Sequence, residues 1–224
     1  MRVLIVKTSS MGDVVHALPA ISDMARAIPG VQIDWVVEKG FSAMPAQHRA
    51  VQRVIPLQWR KWRKSLRSAE TRAALAHWRA EMRRERYDLV IDLQGLLKSA
   101  LFACFANGPR AGYDRHSIRE PLASFFYGRT GHVSRELHAV DRCRALAAQL
   151  LGYRHCLLAV GMPHQYQHFA VERLLHALFG LQFQGIRRVA RHQFHQVGRQ
   201  RGTVAPLPAS QGQHGHQQDQ EQAR

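Results

Sequence analysis

The chain has 224 residues, 46% of them hydrophobic, with 32 Lys and Arg against 16 Asp and Glu and a formal net charge of +16. That length allows one large domain or two small ones, and the apolar fraction suits a packed core. No apolar run approaches the ~18 residues of a bilayer span, no leader-like segment precedes the first apolar stretch, and the 3 cysteines and 14 histidines lack CxxC or HExxH spacing. The sequence thus supports no membrane span, disulfide framework or zinc site. No metal or cofactor is expected, and a cytoplasmic location is.

Residues 2–7, "RVLIVK", read as a buried strand. Residues 13–28 read as a helix, with Val14, Ala17, Leu18, Ile21, Met24 and Ala25 on one face, ended by Pro29-Gly30. Residues 32–37, "QIDWVV", form a second strand and residues 51–57, "VQRVIPL", a short third. A long polar helix follows over 69–86, with Leu75 and Trp78 turned inward. Residues 87–93, "YDLVIDL", are a fourth strand with a helix behind it over 95–106. Residues 110–113 form a fifth, short strand, and residues 138–151 a closing helix.

Apolar strands alternating with helices predict an α/β fold, a Rossmann-like parallel sheet covered on both faces. In such sheets ligands gather beyond the carboxyl ends of the strands. The loops after strand one, Ser9 to Asp13, and after strand four, "DLQGLLKSA", therefore belong to one edge.

Beyond Tyr153 the composition shifts. No lysine follows Lys98, and no acid lies between Glu172 and Asp219. Residues 1–151 hold 24 basic and 13 acidic side chains, residues 152–224 hold 8 and 3. Residues 169–183 could form one amphipathic helix; the remainder shows neither strand nor helix period and reads as an irregular tail. A natural polar tail is one explanation and out-of-frame translation the other, since reading out of frame keeps base composition while losing apolar periodicity. The expected division is a Rossmann-like domain over 1–153 and an atypical tail over 154–224.

The strand-one loop "KTSSMGD" places Ser9, Ser10 and Gly12 where backbone N–H groups and hydroxyls meet a helix N-terminus, a setting for anions or sugar oxygens. It is neither GxxxxGK[ST] nor GxGxxG. Asp13 has two readings: a helix-capping acid worth about 1 kcal/mol, or a general base at the mouth of the sheet. In "QWRKWRKSLR", Arg60, Arg63, Lys64 and Arg67 recur at helical spacing beside a stripe of Trp59, Trp62 and Leu66. That pattern suits a solvated basic face, a membrane-surface helix or a nucleic-acid contact. Asp92, Gln94 and Lys98 surround a strand-to-helix turn in which Gly95 allows close backbone approach. Lys98 either faces a ligand or solvates its helix. Arg119 either faces a ligand or pairs with Glu120, and His138 reads as a polar cap.

The segment "VLIVKTSSMGDVVHALPA", followed in order by "VQRVIPLQWRKWRK", "YDLVIDLQGLLKSAL", "REPLASFFYGR" and "HAVDRCRALAAQLLGY", resembles the lipopolysaccharide heptosyltransferases of glycosyltransferase family 9. Within that family the segments resemble the branch that adds the first heptose to Kdo-lipid A. The resemblance covers residues 1–153 and is not seen beyond. It implies the N-terminal, acceptor-binding half of a two-domain GT-B enzyme that needs no metal. By this resemblance Asp13 is the base of an inverting transfer from an ADP-heptose donor to a Kdo-lipid A acceptor. Ser9, Ser10, Gly12, Arg60, Arg63, Lys64, Gln94, Lys98 and Arg119 are then the acceptor contacts. It also implies work against the anionic inner face of the inner membrane, without specific nucleic acid. The donor-binding residues belong to a second domain that residues 154–224 do not resemble, so the chain as written is expected not to complete transfer. The competing reading is a non-catalytic basic module for an anionic lipid surface or nucleic acid.

Overall fold

A computed structural model describes residues 1–154; the expectations for an irregular tail and for a helix at 169–183 fall outside the described residues. Six strands alternate with helices. They are β1 (Arg2–Val6), β2 (Gln32–Glu38), β3 (Val51–Leu57), β4 (Leu89–Asp92), β5 (Arg110–Tyr113) and β6 (Arg129–Gly131). The helices are α1 (Met11–Ala27), α2 (Ala43–Ala46), α3 (Trp59–Trp62), α4 (Ala69–Arg83), α5 (Leu97–Ala103) and α6 (Ala139–Leu151).

All strand pairs are parallel, in the order β3-β2-β1-β4-β5-β6. This is the Rossmann arrangement, and its switch point lies between β1 and β4. Because strand side chains alternate, each strand feeds two cores. Val3 and Ile5 of β1, with Ile33, Trp35 and Val37 of β2, meet Val14, Leu18, Ile21 and Met24 of α1 and Leu146 and Leu150 of α6. Leu4, Val6, Val36 and Val90 meet Trp62, Trp78, Met82 and Phe102 on the other face. Each fully buried large side chain contributes roughly 1.5–3 kcal/mol.

The expected strands are present, two of them, β3 and β5, with the expected limits. Three local differences have physical causes. The first helix starts at Met11, two residues early, because Ser10 takes the N-cap position and puts Asp13 in the third helical place. The long helix stops at Arg83 rather than 86, where the chain turns into β4. The basic stripe is not one helix: α3 is only four residues long and the chain then turns through Arg63 to Ser68. Arg67 is therefore off the expected face, and Leu66 is 47% exposed rather than part of an apolar stripe. Leu75 is only partly buried, whereas Trp78 is inside as expected. The sixth strand, β6, was not foreseen; three residues are too few to show a period.

The polar residue in β2, Asp34, is fully buried. Its Oδ2 accepts hydrogen bonds from Tyr87 Oη (2.9 Å) and Arg53 Nε (3.3 Å), while Arg53 also donates to Tyr87 Oη at 2.8 Å. Burial beside that carboxylate raises the Tyr87 phenol above its ordinary value. A buried charge without such partners would cost several kcal/mol, so this cluster is what permits an acid inside the sheet.

Candidate functional site

The switch point is laced by side chains from both loops. Lys7, which follows β1, is almost wholly buried and donates from Nζ to the carbonyl of Leu93, which follows β4, at 3.0 Å. Gln94 Oε1 accepts from both the N–H and the Oγ1 of Thr8 at 2.7 Å, and its Nε2 donates to the Ser9 carbonyl at 2.9 Å. These bonds lock the two loops together at the edge where ligands of such sheets bind.

Asp13 stands on this edge, about one third exposed. Its Oδ2 accepts from Ser10 N (2.8 Å) and Ser10 Oγ (3.1 Å). Its Oδ1 faces Lys7 Nζ across a long ion pair of 4.0 Å. One carboxylate oxygen thus caps the helix while the other faces Lys7. The capping reading and the base reading are compatible, because they use different oxygens.

A cavity of about 250 Å³ opens beside Asp13. Lys7, Gln94, Arg119, Arg135 and Arg142 supply its polar lining, and Leu93, Tyr113, Ala139 and Cys143 the rest. Four cations against one carboxylate favour an anionic ligand. Arg142 Nη2 donates to the Ser117 carbonyl at 2.7 Å and its guanidinium lies 4.9 Å from the Tyr113 ring centre. Arg135 Nη2 donates to the Ile118 carbonyl. Burial pushes the Cys143 thiol and the Tyr113 phenol up, keeping both protonated as neutral wall groups. No cluster of side chains suited to a metal occurs among the described residues.

Of the residues expected from sequence, the fold brings Asp13, Gln94 and Arg119 to this cavity. Ser9 and Ser10 border it through their bonds to Gln94 and Asp13. The Ser10 N–H is already taken by Asp13, which removes it as a free anion donor. Gly12 is exposed, and a side chain there would meet no atom within 4 Å. Arg60, Arg63 and Lys64 lie past the end of β3 and do not line the cavity. Arg60 binds Glu38 Oε1 through its backbone N–H (3.1 Å) and stacks over Phe41 at 5.5 Å. Lys98 is exposed on α5 and borders a different hollow, beside Trp59 and Phe102. Glu120 does not pair with Arg119; its Oε2 caps α5 by accepting from Leu97 N at 2.6 Å. His138 is the N-cap of α6, as read from sequence, its Nδ1 accepting from Val140 N at 3.4 Å.

Asp92 is structural. It is fully buried and accepts from Gln94 N, Gly95 N, Ser99 Oγ and Tyr127 Oη at 2.6–3.1 Å, with burial raising its carboxyl above the ordinary value. Gly95 makes the turn at φ +69°, and a Cβ there would sit 3.1 Å from Ile118 Cγ1. Lys7, Arg135 and Arg142 were missed. A lysine ending an apolar strand at the ligand-binding edge is a usable signal for Lys7. The two arginines carry none, because their sequence neighbours read as a loop and a helix surface.

Residues 74–172 match glycosyltransferase family 9 (heptosyltransferase), a match that runs past Tyr153, where the resemblance was expected to end. The chain is 54% identical over 154 residues to lipopolysaccharide heptosyltransferase 1 of Escherichia coli K12, covering 68% of this chain and 48% of the relative. The Pseudomonas aeruginosa protein of the same name is 54% identical over 154 residues, covering 68% and 43%. Among solved structures, E. coli heptosyltransferase WaaC with ADP-2-deoxy-2-fluoro heptose superposes with a TM-score of 0.69 at 50% identity, over 75% of this chain and 54% of that one. E. coli ADP-heptose lps heptosyltransferase II, at 20% identity and a TM-score of 0.52, over 78% of this chain and 50% of that one, shares the fold. The chain spans about half the length of the curated relatives it matches.

Proposed function

We propose, for a chain whose residues 74–172 match glycosyltransferase family 9 and that is similar to lipopolysaccharide heptosyltransferase 1 over 68% of its length, that its described domain is the acceptor-binding half of a GT-B heptosyltransferase acting in lipopolysaccharide inner-core assembly. The donor is ADP-heptose and the acceptor is the Kdo of Kdo-lipid A. Transfer inverts the anomeric carbon. The domain works at the cytoplasmic face of the inner membrane; no helix among the described residues is long and apolar enough to cross it.

The observation that carries this reading is the division of labour on Asp13. With Oδ2 held by Ser10, Oδ1 is presented to the cavity and accepts the proton of an acceptor hydroxyl as its oxygen attacks the heptose carbon. The ADP leaves as an anion, so no protonating acid is required on that side. Lys7 stays clamped to Leu93 and holds positive charge near the base. Arg119, Arg135 and Arg142 give the cavity its attraction for the acidic acceptor sugar, whose carboxylate matches the guanidinium fork. Arg60, Arg63 and Lys64, past β3, contact the more distant carboxylate and phosphate groups of the same acceptor. Ser9, Ser10 and Gly12 shape the loop that the acceptor approaches, and Lys98 lies on its lipid side.

Residues 154–224 have no strand–helix alternation in their sequence from which a donor-binding sheet could be built. The chain as written therefore binds acceptor without completing transfer. The test grafts residues 1–154 in place of the matching segment of the E. coli relative and follows heptose addition to Kdo-lipid A by mass spectrometry. An active graft that Asp13→Asn silences, beside an inactive 224-residue chain, is the expected pair of results. A graft that remains active with Asp13→Asn removes Asp13 from the chemistry.

A further inference from the structure

A second hollow, of about 410 Å³, lies on the other layer of the domain, between the start of α3, α4 and α5. Its walls are Trp59, Trp78, Leu101 and Phe102. Phe102 stands edge-on to Trp59 at 5.6 Å and to Trp78 at 5.8 Å, so the aromatic floor is interlocked. Leu101 is 45% exposed, an apolar side chain left facing water. Arg79 and Lys98 line the hollow too, and no acid does.

A sugar or nucleotide does not suit these walls, which offer hydrocarbon where such ligands need hydrogen-bond partners. A hydrocarbon chain with an anionic head suits them: apolar walls for the chain and two cations for the phosphate. The exposed cations Arg60, Arg63 and Lys64 follow Trp59 closely in the chain. We propose that this groove takes one acyl chain of an anionic membrane phospholipid, fixing the domain to the bilayer surface beside the sugar cavity. The inference deepens the lipid-linked acceptor reading and rests on it for the presence of a membrane. Hydrocarbon burial and headgroup attraction act together, as they must for peripheral binding to be stable.

The experiment uses the full chain and vesicles free of any saccharide, so that its failure leaves the transferase reading standing. Phosphatidylglycerol is mixed into phosphatidylcholine, both with acyl chains that carry bromine, a tryptophan quencher. Binding is read by vesicle flotation and chain insertion by loss of tryptophan emission. The expected result is quenching only when phosphatidylglycerol is present, reduced ~10-fold or more by Leu101→Glu, which puts a charge among the apolar contacts. Leu66→Glu, at an exposed leucine outside the groove, keeps the quenching. Flotation without quenching shows electrostatic adsorption alone and overturns the proposal. So does absence of binding, or a Leu101→Glu protein quenched as strongly as the parent while thermal melting shows both folded.

Discussion

Ser10 donates two hydrogen bonds, from its backbone N–H and its Oγ, to one oxygen of Asp13, at 2.8 and 3.1 Å. The pair fixes the start of α1 and at the same time orients the second carboxylate oxygen toward Lys7 and the cavity. The cap thus occupies one oxygen of the carboxylate, and the proton-acceptor role proposed above would use the other.

In the grafted enzyme, Asp13→Asn is expected to lower kcat by ~10²–10⁴, the usual contribution of a positioned general base. Asparagine keeps an oxygen for the Ser10 N–H, so thermal melting should move little. Asp13→Ala loses both tasks, and about 1 kcal/mol of helix-start stability should go with the activity. Equal melting losses for the two variants, with activity retained in the asparagine form, would leave only the cap.

Arg63 and Lys64 are exposed and form no ion pair among the described residues, and Arg60 uses its backbone rather than its guanidinium to hold Glu38. Replacing all three side chains by Ala should leave stability within ~0.5 kcal/mol, as is usual for surface sites. Kdo-lipid A binding, measured by calorimetry at low salt, should weaken markedly, and Arg119→Ala should weaken it too. Raising the salt should erase much of both defects, since all four side chains are exposed and surface charges are screened. A defect that salt leaves untouched would show contacts that do not depend on charge.

Arg144 of α6 donates from Nε to Asp23 of α1 at 2.6 Å, both side chains nearly buried. Arg144→Met takes the 2.6 Å partner from Asp23, leaving it Arg26 at 3.7 Å, and also the 3.8 Å partner of buried Asp141, and should cost ~3–5 kcal/mol in urea unfolding. Adding Asp23→Leu should return part of that loss, because Asp23 then needs no charge compensation while Asp141 still lacks Arg144. A double variant as unstable as the single would show that α1 and α6 depend on the ion pair for their packing geometry.

His48 is buried between α2 and β3. Burial, and after it the charge of Arg49, lowers its imidazole from the ordinary 6.5. Nδ1 accepts from Ala50 N at 3.2 Å, so in the neutral ring Nε2 carries the hydrogen and donates to Ser22 Oγ at 2.9 Å. The folded state binds this proton less well than the unfolded chain. Its contribution is therefore complete above pH 6.5 and falls as pH drops below 6.5 toward the lowered folded value. Thermal melting across that window, above the carboxylate range, should show the decline, and His48→Gln should flatten it. A melting temperature in the parent that does not change through the window would contradict a buried neutral imidazole.

The order of strands and helices was legible in the sequence because burial marks it locally: a continuous apolar run in "RVLIV" of β1, which is buried on both faces, and a period of about 3.6 on the Val14, Leu18, Ile21 face of α1. The Asp13 loop was legible too, since a strand, a small-residue turn and a helix start lie within a few residues of each other. What the sequence did not show is separated along the chain or shorter than a period. The basic stripe at 60–67 has helical spacing, yet only four residues form a helix before the chain turns. The acid inside β2 drew no comment as sequence, because its partners Arg53 and Tyr87 lie 19 and 53 residues away and close around it only in the fold. Arg135 and Arg142 reach the Asp13 cavity because parallel pairing sets β1 beside β4 and then β5 and β6 beside those, returning α6 to pack on α1. Periodicity is a property of neighbours in sequence. The cavity is a property of strand order, and strand order is decided only when both faces of the sheet find their helices.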